Sequence, residues 1–284
     1  MFCRTSVTCL VAASGVTLPQ WVTREVGNVG THAWRMFFEN HNNNDMNINK
    51  NNTTTTTSSD NNTNTTAVTM RHSAWHDIVL HPSSSDAAVI TFVCEIPRGT
   101  RAKMELLKEE VHNPLAQDVY RKKPGKPLRF FTYGDIPFNY GFAPRTWEDP
   151  AELDPDTRCH GDGDPIDVVQ LSVRPAAMGA VQAVRVLGVL GLIDEGETDW
   201  KIIVEPYGDP NAYGCLANVP RELREGIVRW FREYKTTDGK GRNELTHGGE
   251  IRGMEEAMEV IGACARQYDN LISGSTKNPG YWLR

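Results

Sequence analysis

The feature that most constrains this chain is a tract from Asn40 to Thr66 dominated by Asn and Thr, as in Asn51-Asn52-Thr53-Thr54-Thr55-Thr56-Thr57. Such a tract offers almost no apolar surface to bury, so nothing offsets the entropy lost on ordering it. Residues 40–73 therefore read as a disordered linker, which divides the 284 residues unequally. Residues 1–39 are left as an extension. Residues 74–284 are long enough for one large domain with a substantial core, and folded structure is expected to begin near Ala74 to Val79. The Asn-x-Thr sequons at Asn51 and Asn52 arise by chance in such a repeat and are poor evidence for glycosylation.

The ends and the charge narrow the classes further. Between Met1 and Arg24 lie Arg4 and Arg24, several Ser and Thr, and no acidic residue before Glu25. That composition fits an organellar presequence, while the run Thr8 to Val16 has the form of a short signal-peptide core. No stretch approaches the roughly 20 apolar residues of a membrane-spanning helix, so no membrane partner is expected. Cys3, Cys9, Cys94, Cys159, Cys215 and Cys264 are scattered without a CxxC pair and read as reduced thiols. A net charge of −6 argues against a nucleic-acid partner bound through phosphate neutralisation.

Downstream of the tract, short strand patterns alternate with turns. Ala87 to Ile96 is an apolar, β-branched run ending at Pro97. Lys103 to Leu107, Leu128 to Tyr133 and Ile166 to Ser172 alternate polar and apolar residues. Val181 to Ile193 is rich in Val and Leu, with Gly188 and Gly191 as candidate bulges, and Trp200 to Val204 is a further short strand. Strands without intervening helices suggest a barrel or sandwich. Two amphipathic helices follow: Leu223, Ile227, Trp230, Phe231 and Tyr234 after Pro220, then Met254, Met258, Ile261, Ala265, Tyr268 and Ile272 before Gly274. The expected fold class is α+β, a β-barrel core with flanking helices.

The chemistry concentrates in acidic loops. Asp162, Asp164 and Asp167 lie within six residues, separated by Gly163, Pro165 and Ile166. Carboxylates so close repel one another unless a cation sits among them, and hard oxygen ligands favour Mg²⁺ or Mn²⁺. Asp, Gly and Pro are also the residues of solvated turns, so the hexapeptide alone does not decide. A second acidic loop, Asp194-Glu195-Gly196-Glu197-Thr198-Asp199, follows the Val/Leu-rich strand and places more carboxylates at the same end of a barrel. Glu95 ends an apolar run, and Lys103 and Glu105, two apart, share a strand face. Arg129 stands between large apolar residues, where a snorkelling edge residue is the ordinary reading. Together with Tyr140, Tyr234 and Lys235, these residues have the balance of a multi-metal phosphoryl-transfer site, with carboxylates for metals and Lys, Arg and Tyr for phosphate oxygens.

At this point the blocks match a known family. Asp162-Gly163-Asp164-Pro165-Ile166-Asp167-Val168 meets the signature D-[SGDN]-D-[PE]-[LIVMF]-D-[LIVMGAC]. In order around it stand Glu95-Ile96-Pro97-Arg98, Ala102-Lys103-Met104-Glu105, Asn139-Tyr140-Gly141, Thr146-Trp147-Glu148-Asp149-Pro150, Asp194 to Lys201, and Trp230-Phe231-Arg232-Glu233-Tyr234-Lys235. Over about Val93 to Gly249 the chain resembles the family I soluble inorganic pyrophosphatases of the eukaryotic type. The resemblance implies a five-stranded OB-type barrel with its active site at one mouth, and hydrolysis of diphosphate to two phosphates with three or four Mg²⁺ per site, Mn²⁺, Zn²⁺ or Co²⁺ being substitutes. It implies Asp162, Asp167 and Asp199 as ligands of a first metal, Asp167 also of a second, Asp194 and Asp199 of a third, and Glu105 of a fourth. Asp164 would accept the proton of the attacking water. Lys103 and Tyr140 would contact the phosphoryl group under attack, and Arg129, Tyr234 and Lys235 the leaving phosphate. Glu95, Glu148 and Lys201 would orient the ligands.

Two departures from the family pattern stand out. Gly99 replaces the tryptophan that usually follows Glu-Ile-Pro-Arg and commonly supports subunit pairing in a homo-oligomer. Pro206 stands where an aspartate is usual, beside Glu205. The resemblance does not extend to the N-terminal extension; the expected location is the cytoplasm or an organelle, a mitochondrion or an acidic phosphate-storage organelle, with the extension suggesting targeting. Two other activities fit parts of the pattern. A short-chain polyphosphate hydrolase using a transition metal would employ the same ligands. An OB-type nucleic-acid module would need a basic groove with stacking aromatics, where this chain is acidic.

Overall fold

The computed structural model describes residues 5–7, 15–40, 53–55 and 68–284. Residues 1–4 and 8–14, with Cys3 and Cys9, and most of the Asn/Thr tract (41–52 and 56–67) lie outside the described residues. The first strands are β1 (Thr5–Val7), β2 (Trp21–Val26), β3 (Arg35–Asn40), β4 (Thr53–Thr55) and β5 (Val68–His72). They are followed by β6 (Val89–Ile96), β7 (Met104–Leu106), β8 (Leu115–Gln117) and β9 (Asn139–Phe142). Next come β10 (His160–Gly161), β11 (Asp167–Gln170), β12 (Val181–Asp194) and β13 (Glu197–Pro206). The C-terminal part holds helix α1 (Arg221–Glu233), the short strands β14 (Glu244–Leu245) and β15 (Arg252–Gly253), and helix α2 (Met254–Ser273). The fold is α+β.

The larger sheet carries the site. β6 pairs with β9, β9 with β11, β11 with β13, β13 with β12, and β12 again with β6. Because side chains alternate along each strand, the two faces feed different cores. Ile90, Phe92, Val168, Trp200, Ile202 and Val204 pack with Ala257, Ile261 and Cys264 of α2. Val93, Phe142, Val169, Leu190, Leu192 and Ile203 pack with Ile227, Trp230 and Phe231 of α1. The register of β12 against β13 slips between Val186 and Gly188, placing a bulge at one expected glycine. Gly274 ends α2 in the left-handed conformation, its amide 3.2 Å from the Leu271 carbonyl.

Two expectations are corrected. Folded structure begins well before Ala74: β2 and β3 pair antiparallel, and Trp21, Trp34, Met36 and Phe38 join the same buried cluster as Trp75 and Leu115. Apolar residues in a segment judged by the tract beside it were enough to dock it. Leu128 to Tyr133, expected as a strand, makes only isolated bridges, Val119 with Leu128 and Ala102 with Phe130. Its backbone is shared between two neighbours, Arg129 N bonding the Asp118 carbonyl and Arg129 O accepting from Lys103 N, so no continuous ladder forms. Cys94, Cys159, Cys215 and Cys264 are free thiols.

Candidate active site

Strand register gathers the acidic residues. Asp167, the first residue of β11, lies opposite Lys201 of β13 in a parallel pair. Asp199 precedes Lys201 by two and so shares its face. Asp194 closes β12, and Glu195 and Gly196 turn the chain with positive φ, 54° and 91°, into β13. That two-residue hairpin sets Asp194 opposite Glu197 and Leu192 opposite Asp199. The loop bearing Asp162 and Asp164 is tied to the Glu148 backbone: Gly163 N donates to the Glu148 carbonyl (2.9 Å) and Glu148 N to the Asp164 carbonyl (2.9 Å). Gly163 sits at φ +83°, where a Cβ would also meet the Tyr281 hydroxyl at 2.7 Å, so only glycine fits.

The tightest carboxylate group is Glu148, Asp162 and Asp199, with one oxygen of each within 4.8 Å of the others. Glu148 Oε1 accepts from Trp200 N at 3.0 Å, but its buried Oε2 has no hydrogen-bond partner. Burial, then the charges of Asp164, Asp199 and Asp167, push the Asp162 carboxyl well above its usual range. Burial and the charges of Asp162 and Asp199 do the same to Glu148. Asp199 rises to about 8, burial outweighing the Lys201 ammonium. Three desolvated carboxylates of this kind, with an oxygen left orphaned, fit a hard divalent cation. Asp167, which the family resemblance places in the first-metal set, is turned instead toward Lys201 Nζ and the Tyr140 hydroxyl, while Glu148 takes the third place in the cluster.

Cationic and phenolic groups ring these acids. Lys201 Nζ contacts both Asp167 and Asp199 and lies 3.1 Å from the Tyr140 hydroxyl. Lys235 Nζ contacts Asp194, and the Tyr234 hydroxyl donates to it at 3.3 Å. Tyr234 at the end of α1 also senses the charges of Lys201, Asp199 and Asp167, which places the two halves in one electrostatic neighbourhood. Lys103 contacts Glu105 and lies 3.7 Å from Asp118. Glu95, buried, is oriented by the Leu106 amide (2.8 Å), and burial followed by the charges of Asp167 and Glu105 raises its pKa well above the ordinary range.

Three residues outside the sequence reading take part. Asp118 is the buried partner of Arg129, so that guanidinium is an anchored group rather than a snorkelling one; a charge flanked by Leu128 and Phe130 was the signal for such a partner. Lys108 contacts the Asp164 carboxylate, and Tyr281 reaches the same turn; no spacing in the sequence pointed to either. Glu205, beside the departure at Pro206, is buried and spends its oxygens on the amides of Tyr213 (2.5 Å) and Gly214 (3.0 Å), which makes it a support for that loop.

Comparison with known proteins agrees with this geometry. Residues 92–269 match the family model described as inorganic pyrophosphatase. Similar proteins include the inorganic pyrophosphatases of Candida albicans, 42% identical over 214 residues and 72% of each chain, and of Pongo abelii, 39% identical over 213 residues and 73% of each chain. Among solved structures, the recombinant inorganic pyrophosphatase from Trypanosoma brucei brucei superposes with a TM-score of 0.76 at 31% identity, over 90% of this chain and 71% of that one. An N-terminally truncated vacuolar soluble pyrophosphatase of Trypanosoma cruzi in complex with PPi gives 0.74 at 33% identity, over 94% and 95%. The match covers more than half of the chain and includes the acidic loops, so this chain belongs to the inorganic pyrophosphatase family.

Proposed function

We propose that the chain hydrolyses inorganic diphosphate to two phosphates at the mouth formed by β9, β11, β12 and β13. The observation that carries the reading is the Glu148–Asp162–Asp199 group, with its orphaned Glu148 oxygen, beside the Lys201 ammonium and the Tyr140 and Tyr234 hydroxyls. The closed circuit β6-β9-β11-β13-β12 supports reading the core as a five-stranded OB-type barrel. The family requires a divalent metal. Here Asp162, Asp167, Asp194, Asp199 and Glu105 would hold it, as three or four Mg²⁺ with substrate bound. Such cations neutralise the diphosphate and acidify water.

The protein's own groups do the rest. Asp164, with a side chain half exposed at the turn, is placed to take the proton of an attacking water. Lys103 and Tyr140 bind oxygens of the phosphoryl group under attack, and Arg129, Tyr234 and Lys235 hold the leaving phosphate. Burial and the neighbouring aspartates keep both phenols well above their usual pKa, so Tyr140 and Tyr234 act as hydrogen-bond donors. Lys201 fixes Asp167 and Asp199, and Glu95 and Glu148 are held by backbone amides.

Phosphate release from diphosphate in Mg²⁺ tests the reading. Asp164→Ala and Asp167→Ala are expected to lower kcat by about 10²- to 10⁴-fold with the circular-dichroism spectrum preserved. Full turnover in either variant at matched Mg²⁺ would remove these residues from the mechanism.

A further inference from the structure

The turn between Asp162 and Asp164 converges on one atom. The Gly163 carbonyl accepts hydrogen bonds from Lys108 Nζ (2.7 Å), the Tyr281 hydroxyl (3.0 Å) and Trp147 Nε1 (3.1 Å). Lys108 Nζ also contacts the Asp164 carboxylate and lies 5.1 Å from the centroid of the Tyr281 ring. Its side chain is 14% exposed, so it is not a free surface lysine.

The backbone of Lys108 is tied to the C-terminal segment as well. Trp282 N donates to the Lys108 carbonyl at 2.8 Å, and Asn113 Nδ2 bridges that carbonyl (2.8 Å) and the Trp282 carbonyl (3.3 Å). His76 Nε2 reaches the same Trp282 carbonyl at 3.1 Å, and Arg284 pairs with Asp77 at 2.5 Å. On the other side of the turn, Asp164 N donates to Asp162 Oδ1 at 2.8 Å, so the Gly163 peptide plane couples the aim of both carboxylates.

On the reading that this site hydrolyses diphosphate, we propose that Lys108 is a positioning residue for the reaction. Clamped by Tyr281, it fixes the Gly163 peptide so that Asp162 faces the cation and Asp164 faces the water. A lysine that merely balanced the charge of Asp164 would compete with the cations for that carboxylate, and its removal would leave their affinity unchanged or raise it.

The test uses the full-length protein and the variants Lys108→Met, Lys108→Arg and Tyr281→Phe. Calorimetric titration with Mg²⁺ in the absence of substrate reads the aim of Asp162. Steady-state kinetics on diphosphate at saturating Mg²⁺ reads that of Asp164. Lys108→Met is expected to weaken Mg²⁺ binding by about tenfold and to lower kcat by about tenfold with KM within about twofold. Lys108→Arg should recover part of both losses, and Tyr281→Phe should move both in the same direction by less. Mg²⁺ affinity that is unchanged or tighter in Lys108→Met overturns the proposal whatever kcat does, as does a rise in KM with kcat intact, which would make Lys108 a substrate ligand. Should Lys108→Met fail to fold, Tyr281→Phe, which removes one hydroxyl, decides in its place. A wild-type protein that releases no phosphate overturns the hydrolysis reading, and the Mg²⁺ titration of the variants still decides the role of Lys108.

Discussion

His76 is buried between the Tyr268 hydroxyl, 2.8 Å from Nδ1, and the Trp282 carbonyl, 3.1 Å from Nε2. The carbonyl can only accept, so Nε2 carries the proton and Nδ1 receives the phenol. Burial lowers the imidazole pKa from 6.5 to about 4, against the pull of the Trp282 carbonyl and Asp77. Because the folded value lies below the unfolded one, the stability this neutral ring contributes is fully present above pH 6.5 and is lost as the pH falls toward 4. The loss is at most about 3 kcal/mol. Asp199 has the opposite sign: its raised pKa makes it a stabiliser at low pH whose contribution is lost as the pH rises through about 8. A bound cation suppresses that second effect, so the measurement belongs in excess Mg²⁺. The thermal midpoint of the wild type is expected to drop between pH 6.5 and 4, and His76→Gln should flatten that slope. An equal slope in both proteins would show that His76 does not set it.

Gly141 shows what an element contributes that a motif does not. β9 crosses β6 with Gly141 opposite Cys94, so close that a Cβ there would lie 1.9 Å from the Val93 carbonyl and 2.8 Å from Glu95 N. Both contacts are backbone, which cannot step aside without breaking the pairing that carries Tyr140 and Glu95. Gly141→Ala is expected to lower the unfolding free energy by more than about 3 kcal/mol in a urea titration, and a change below about 1 kcal/mol would mean that the strands part without cost. Asn139-Tyr140-Gly141 was visible in the sequence, but the need for glycine was not, because it belongs to the partner strand. Val181 to Ile193 and the two amphipathic helices were legible because each buries a face with its own period. The aspartate loops were legible because their ligands are local. Lys108 and Tyr281 were not, since they meet the Gly163 carbonyl across 55 and 118 residues of chain.

On the scale of the molecule, the Asn/Thr tract hides how much of the N-terminal side belongs to the fold. A segment beside a low-complexity run reads as an extension, yet β2 and β3 form a ladder from Trp21–Asn40 to Val26–Arg35, and β3 reaches β8 through Met36 and Leu115. Phe38 is fully buried in the cluster that holds Trp75 and Val93, the latter on β6, the strand that also carries Glu95. If residues 1–39 were a dispensable leader, truncating that ring would change little. If they are part of the core, Phe38→Ala leaves a cavity and costs about 3–5 kcal/mol, a large share of the 5–15 kcal/mol by which such domains are stable, roughly speaking. Denaturant unfolding of the full-length variant distinguishes the two, and a loss below about 1 kcal/mol would return these strands to the status of an appendage. Tyr140, Asp162, Asp164, Asp167, Asp194, Asp199, Tyr234 and Lys235 sit on or beside β9 to β13 and α1, while Lys103 and Glu105 connect to β3 only through the β7–β8 pair. Below the transition Phe38→Ala should therefore hydrolyse diphosphate with a kcat within about twofold of the wild type, so that the cost falls on stability alone.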